Sequence, residues 1–457
     1  MRTQPLSEVA VSVGGRVAGP DVDVSAVTTD SRASAAGSLF VARAGERDDG
    51  HRFVPGALAA GAAAAMVKQI DESWNAGGRS FVVVDDTGRA LLDLAASERR
   101  HLTATVIGIT GSTGKTCTKD LTAAVLGARL SVVASRASFN NEVGLPLTVL
   151  AADDRTEALV CELGSRGIGH IASLCAVARP GVGIVTNVGL AHLGLFGSRE
   201  NIVEAKAELV EALPADGVAV LNADDPVVSR YALRTEASPV TFGRSASADV
   251  RAEDVELDRD ALASFVLVSE GSRERVELSV PGDHMVDNAL AAAACGIALG
   301  ISPAECAAAL KTAHVSGWRM EAFTTAGGVR VLNDAYNANP TSMAAALKAA
   351  RWMSRGGRCV AVLGGMAELG DAAQEEHDRV GELVARLGIE ELVVVGRDAA
   401  PVARAALREG MESEHVRQAG SRDEALEAVR ALLRPGDVVL VKASRVNGLE
   451  RLAEALR

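Results

Sequence analysis

The sequence predicts an α/β protein built from three domains, and three observations carry that expectation. The chain has 457 residues, too many for one hydrophobic core, and about three domains is what such a length implies. An apolar run, Ala104-Thr105-Val106-Ile107-Gly108-Ile109, leads straight into Thr110-Gly111-Ser112-Thr113-Gly114-Lys115-Thr116, after which Leu121, Val125 and Ala128 recur at helical spacing. That is a buried strand, a glycine loop and a helix in succession. Strand-like and helix-like segments then alternate, the rhythm of parallel sheets with crossover helices.

Taken in order, residues 1–100 offer strands at Ser38–Ala42, Ala62–Val67 and Ser80–Val84, separated by Gly-Asp-Arg turns, and a helix from Ala90 to Arg100. Residues 101–315 open with the glycine-loop strand and continue through strands at Ala158–Glu162, Gly181–Thr186 and Val218–Asn222, alternating with helices such as Arg199–Leu213. From about Arg244 to Pro281 the pattern becomes strict alternation, clearest in Ser264–Ser269 and Arg275–Val280, which marks an antiparallel extension. Helices follow from Asp287 to Leu299 and from Pro303 to Thr312, and Ser316–Arg319 reads as a hinge. Residues 316–457 return to strand–helix alternation, with strands at Val329–Asn333, Arg358–Leu363, Glu391–Val395 and Asp437–Lys442. This last region is Rossmann-like in rhythm but has no G-x-G-x-x-G fingerprint.

Composition narrows the class. Apolar residues make up 48% of the chain and aromatics only 3%, so alanine and valine must fill the cores. A formal charge of −12 argues against a nucleic-acid or membrane-surface protein, either of which needs a basic face. Anionic substrates stay open, because phosphate sites are built locally. Cys117, Cys161, Cys175, Cys295, Cys306 and Cys359 form no C-x-x-C pair and read as reduced, mostly buried thiols. The N-terminus lacks the basic and apolar regions of a signal peptide. The alanine-rich stretches Pro55–Val67 and Ala289–Gly300 are too short to span a bilayer. A soluble cytoplasmic protein is expected. Arginine far outnumbers lysine, which occurs only at Lys68, Lys115, Lys119, Lys206, Lys311, Lys348 and Lys442; a lysine kept against that bias hints at chemistry arginine cannot do.

The glycine loop carries the clearest chemistry. Backbone N–H groups of Gly111, Ser112, Thr113 and Gly114, with the helix N-terminus behind them, would face the phosphates of ATP. Lys115 would reach the β/γ-phosphates and the Thr116 hydroxyl would hold Mg²⁺. The competing reading, a surface turn that happens to contain Gly-Lys-Thr, does not explain the flanking strand and helix. Glu162 ends one predicted strand and His192 follows another, so both could face the loop at the carboxyl edge of the sheet. Alone, each would pass for a cap or turn residue; together in such a domain they favour a metal site. Lys206 lies on an amphipathic helix with Ile202, Leu209 and Val210 inward, and spacing alone makes it a solvated lysine beside Glu208.

Further motifs change that last reading. The loop is short, with Ile109 where a standard Walker A has its first glycine. The G-x-x-G-K-T form is similar to that of Mur ligases and folylpolyglutamate synthetases, which make amide bonds through acyl phosphates. Asp30-Ser31-Arg32, Ser38-Leu39-Phe40-Val41-Ala42 and the stretch from Gly45 to Phe53 resemble a uridine-nucleotide domain. Ser138-Phe139-Asn140-Asn141-Glu142-Val143-Gly144-Leu145-Pro146 and Asn222-Ala223-Asp224-Asp225-Pro226 match the centre of the same family. On these motifs the whole chain resembles the Mur ligase family. Asn333-Asp334-Ala335-Tyr336-Asn337-Ala338-Asn339-Pro340-Thr341-Ser342-Met343 is similar to the branch that adds D-alanyl-D-alanine rather than the branch built around DYAHxPD. The same stretch also has the chemistry of a strand–turn–helix junction. Gly317-Trp318-Arg319-Met320-Glu321, Leu363–Gly370 and Val441-Lys442-Ala443-Ser444-Arg445 extend the likeness to the third domain.

The resemblance implies three domains: a small uridine-nucleotide domain over 1–100, a central P-loop ATPase domain over 101–315 and a Rossmann-like ligase domain over 316–457. It implies that ATP drives addition of D-alanyl-D-alanine to UDP-N-acetylmuramoyl-tripeptide through an acyl phosphate, in cytoplasmic peptidoglycan precursor synthesis. It also implies that Lys206 is carbamylated, which reverses the solvated reading. Two Mg²⁺ ions would be held by Thr116 and Glu162, and by His192 and Lys206. Lys115 and Arg319 would stabilise phosphate charge, Asn288 would contact adenine, and Asp334 would hold the ribose. Ser31, Arg32, Asn140 and Asn141 would bind the UDP substrate; Asn337, Asn339 and Ser444 would bind the dipeptide. The partners are small molecules, with no nucleic acid or membrane, and a monomer is expected. Three positions depart from the family pattern: Met285 loses a polar contact beside adenine, Gly365 replaces an aspartate, and Ala443 replaces a glycine and would narrow the dipeptide pocket. The other readings are a sister ligase adding a single amino acid and a non-catalytic ATP-binding protein.

Overall fold

Three large β-sheets follow one another along the chain, with a small antiparallel pair of Gln4–Pro5 and Asp23–Val24 beside the first, in a computed structural model that describes residues 1–45, 48–74, 78–191 and 193–457. The first sheet has five strands in the order Arg16–Ala18, Ser80–Val83, Ala64–Val67, Ser38–Val41 and Ala26–Thr28. It is parallel except where Arg16–Ala18 runs against Ser80–Val83. The three strands expected here are present, and the helix begins earlier than predicted, at Thr87, because the Asp86 side chain caps Gly88 and Arg89. The short strands at Arg16–Ala18 and Ala26–Thr28 escape periodicity because three residues are too few to show it.

The central sheet has nine strands. Thr105–Thr110 is the third strand from one edge, between Ala158–Glu162 and Val182–Val185, and all three are parallel. Chain order reverses around Thr105–Thr110, so a crevice opens at its carboxyl end. The helix Lys115–Leu126 packs back on the sheet through Leu121, Val125 and Leu126; Ala128, predicted as a third inward position, lies beyond the helix and is exposed. On the other side the sheet continues through Val218–Asn222 and Ser238–Gly243 and then turns antiparallel through Val250–Leu257, Leu262–Ser269 and Ser272–Pro281. The antiparallel extension is as expected, with one more strand than its sequence pattern marked. The helix Met285–Ala298 is buried nearly all round against the Lys115–Leu126 helix and the sheet, which explains why it reads as continuously apolar.

The third sheet has six strands, parallel apart from the Glu321–Thr324 edge, in the order Glu321–Thr324, Arg330–Asn333, Val438–Lys442, Cys359–Gly364, Glu391–Val395 and Val416–Ala419. Polar contacts tie it to the extension of the central sheet. Trp352 Nε1 donates to the Asp258 carbonyl at 2.7 Å and Arg330 pairs with Asp260 at 2.9 Å. All six cysteines are free and buried. Among the described residues no helix is long and apolar enough to cross a membrane.

Two helices of the third domain, Ala373–Arg386 and Ala400–Arg408, touch at Gly381, where an added Cβ would strike the Val402 carbonyl and lie 2.8 Å from Ala405 Cβ. Gly381→Ala gains helix propensity of about 1 kcal/mol but forces the helices apart, at a cost of about 1–3 kcal/mol. A lowered midpoint in chemical denaturation is expected; an unchanged or raised midpoint would refute this packing account.

Candidate active site

The loop after Thr110 is held from both sides. Thr113 N–H donates to Asn187 Oδ1 at 3.0 Å, Thr186 Oγ1 donates to the Thr113 carbonyl at 2.6 Å, and Ser112 N–H donates to the Asn187 carbonyl at 2.9 Å. Gly111 and Gly114 have φ of +147° and +80°, and a Cβ on either would collide with Thr186 or Asn288 respectively. Only glycine allows both the conformation and the close approach. Lys115 folds over the loop and donates to the Gly111 carbonyl at 2.7 Å. Burial holds its ammonium pKa below the ordinary lysine value; Glu162 opposes that shift and Arg319 adds to it.

Glu162 is buried at the end of its strand, as its position in sequence suggested. Thr116 Oγ1 donates to its Oε2 at 2.7 Å and Asn140 Nδ2 donates to its Oε1 at 2.8 Å. A buried carboxylate beside a hydroxyl supplies hard oxygen donors, the set that suits Mg²⁺. His192 lies outside the described residues. Lys206 corrects the reading from spacing: it is 2% exposed, with its ammonium 5.7 Å from the Phe196 ring centroid. Burial, helped by nearby Lys115 and opposed by Glu208, lowers its pKa to about 7. Such an amine is substantially neutral at ordinary pH.

A cavity of about 560 Å³ gathers residues from the central and third domains. Ser112, Thr113, Gly114, Lys115, Thr116 and Glu162 line it from one side, and so do Lys206, Asn140, Asn141 and Asn288. Arg319, Asp334, Asn337, Asn339 and Ser444 line it from the third domain. Ser31 and Arg32 do not line it: they form a turn in which Arg32 pairs with Asp30 at 2.8 Å. Asn288 accepts from Thr118 Oγ1 at 3.2 Å, and its amide reaches Met285 Sδ at 3.5 Å, so Met285 keeps a contact with it. Asn339 caps the helix Pro340–Met353 in a reciprocal box with Ser342, so the junction reading of that motif holds. Ser444 accepts from Ala367 N–H at 2.8 Å.

The other two departures from the family pattern also find their neighbours. Asp398 fills the space beside Gly365, where an added Cβ would lie 3.1 Å from Asp398 Cβ. Ala443 is wholly buried in the core of the third sheet beside Gly364 and does not line the cavity, so the narrowing expected of it is absent.

Several residues in or beside the site have no role that their sequence motifs announce. Lys442 is buried, pairs with Asp334 at 2.5 Å and donates to the Asn337 carbonyl at 3.0 Å. Lys119 pairs with Asp120 at 2.6 Å and donates to the Ser135 carbonyl at 2.7 Å, while Asp120 accepts from Ser316 N–H at 2.7 Å. Both are lysines in an arginine-rich chain. Lys442 and Ser138 also lie inside the Val441–Arg445 and Ser138–Pro146 motifs, which assign them no role, and Asn187 carries no mark of its own.

Three family profiles match the chain: the Mur ligase family catalytic domain over 23–99, the Mur ligase middle domain over 109–296 and the Mur ligase glutamate ligase domain over 318–445. The UDP-N-acetylmuramoyl-tripeptide–D-alanyl-D-alanine ligase of Mycobacterium tuberculosis is 44% identical, with 99% of this chain and 97% of that protein covered. The protein of the same name from Bacillus subtilis is 36% identical over 100% of this chain and 99% of its own. The crystal structure of MurF from Acinetobacter baumannii superposes with a TM-score of 0.87 at 31% identity, covering 100% of this chain and 99% of the other. MurF ligase from Thermotoga maritima, in complex with ADP, gives 0.80 at 28% identity over 94% and 96%.

The buried amine of Lys206 sets a pH dependence. Its pKa is about 7 in the folded chain and about 10.4 once unfolded. Between those values the unfolded chain binds a proton that the folded chain does not, so this group makes stability rise with pH across that window. In CO₂-free buffer Lys206→Met removes the penalty. Its melting temperature is expected to exceed that of the parent most below about pH 7, with the gap closing towards about pH 10. A gap that does not change with pH would refute the lowered pKa.

Proposed function

The chain belongs to the Mur ligase family, and we propose that it joins D-alanyl-D-alanine to UDP-N-acetylmuramoyl-tripeptide while ATP is converted to ADP and phosphate. One observation carries this reading: the phosphate loop and the Asn333–Met343 segment, from different domains, line a single cavity. The relatives that match over nearly their full length bear the corresponding name.

In the first step the terminal carboxylate of the tripeptide attacks the γ-phosphorus; an O–P bond forms and the bond to the β-phosphate oxygen breaks. The dipeptide amine, in its neutral form, then attacks the acyl carbon; the new C–N nitrogen gives up a proton, and the tetrahedral adduct breaks its C–O bond to expel phosphate, which carries that proton away. Backbone N–H groups of residues 111–114, Lys115 and Arg319 bind and orient the phosphates, so much of the catalysis is positioning and electrostatics. Mg²⁺ on Thr116 and Glu162 would neutralise charge crowded around the transferring phosphoryl group. A second ion would rest on His192 and carbamylated Lys206. Support for the carbamate is chemical: CO₂ reacts with a neutral amine, and burial favours that form of Lys206. Asn288 would contact adenine, and Asp334, held by Lys442, the ribose. Ser31, Arg32, Asn140 and Asn141 would serve the UDP substrate; Asn337, Asn339 and Ser444 would serve the dipeptide. The three domains would divide at 1–100, 101–315 and 316–457, and the enzyme would act as a cytoplasmic monomer.

Phosphate release from ATP with UDP-N-acetylmuramoyl-tripeptide should require D-alanyl-D-alanine and yield the pentapeptide. Turnover with a single amino acid would make the chain a sister ligase, and no turnover with any acceptor would overturn the enzymatic reading. Lys206→Ala should lose most of that turnover, and added bicarbonate should not restore it; a variant as fast as the parent would sink the carbamate role.

A further inference from the structure

Arg319 lies on the hinge at the entry to the third domain, and its partners come from elsewhere in the chain. Its Nη2 donates to Ser138 Oγ at 2.7 Å, and its guanidinium carbon lies 3.9 Å from the centroid of the Tyr336 ring. Its Nε is buried without a hydrogen-bond partner, leaving a donor for an anionic oxygen. Ser138 Oγ lies 3.2 Å from Thr116 Oγ1, whose own proton is given to Glu162 at 2.7 Å. A hydroxyl has one proton, so the order of donation is settled. Arg319 donates to Ser138, Ser138 to Thr116 and Thr116 to Glu162. The chain runs unbroken from the third domain to the candidate metal carboxylate.

The backbone around this contact is strained. Trp318 and Met320, on either side of Arg319, have φ of +60° and +50°, and Ala137, beside Ser138, has φ of +46°. Non-glycine residues pay for that conformation and keep it only where surrounding contacts hold them. The hinge is pinned a second time, by Asp120 on the Lys115–Leu126 helix accepting from Ser316 N–H and Oγ at 2.7 and 2.8 Å.

We propose that Ser138 is a positioning residue: its hydroxyl holds Arg319 against the phosphate loop and ties that placement to the Thr116–Glu162 pair. Hinge closure is thereby registered directly at the loop that binds nucleotide. This rests on the ligase reading above, in which Arg319 stabilises phosphate charge.

The test is a double-mutant cycle in the full-length enzyme. A hydrogen bond to a charged group corresponds to a loss of about 10- to 100-fold, which Ser138→Ala should show in kcat/KM for ATP with an unchanged melting temperature. Ser138→Thr, which keeps the hydroxyl, should recover most of it. In an Arg319→Ala background, Ser138→Ala should cost less than about twofold, because it acts through a group already removed. Titration with a non-hydrolysable ATP analogue reads the same cycle for variants too slow to assay. A Ser138→Ala enzyme equal to the parent, or one losing the same factor with and without Arg319, overturns the proposal. Lack of dipeptide-dependent turnover in the parent would instead overturn the ligase reading.

Discussion

The cleft is referenced to one constraint, the tight seating of the glycine loop between Thr186 and Asn187 on one side and Asn288 on the other. Two positions without a Cβ make that seating possible, and every other group takes its place from it. The helix that follows the loop presents Thr116 to Glu162, packs Leu121 and Val125 into the central core, and carries Asp120 to Ser316. The Thr105–Thr110 strand sits where the sheet order reverses, so the loop opens into a crevice.

Charge in the cleft is set by how deeply each group is buried. Lys115, Lys206 and Lys442 line the cavity, yet each meets different surroundings. Lys442 has a carboxylate partner, Lys115 has a carbonyl, and Lys206 is enclosed near an aromatic ring. The last is held near neutrality by burial. A compact amine that changes protonation when buried offers this range of behaviour, and a guanidinium does not. That gives physical content to the retention of lysine in a chain that otherwise prefers arginine.

What could be read from sequence was what local spacing dictates. The glycine loop, Glu162 at the end of a strand and the inward face of the helix bearing Lys206 are all properties of neighbouring residues. Strands at Ser238–Gly243 and Val416–Ala419 were missed because the first opens with Ser-Pro and the second carries Arg417 and Gln418, so neither shows an apolar run. The burial of Lys206 depends on elements far away in sequence. The contact between Ser138 and Arg319 spans 181 positions, and no periodicity reports a pairing of that range. The likeness to a known family supplied some of this missing long-range information, but not the direction of Ala443, whose side chain turns into the core.

The buried cysteines bear on how the cleft could be attacked chemically. Cys117 lines the cavity one residue beyond Thr116, and burial pushes its thiol up to about 12. Cys161, Cys175, Cys295, Cys306 and Cys359 are raised as far by the same cause. Thiolate is the reactive form, so the cavity holds sulfur mainly as the less reactive thiol. Electrophilic warheads that rely on cysteine are therefore expected to label Cys117 slowly, which leaves the neutral amine of Lys206 as the other nucleophile on the cavity wall.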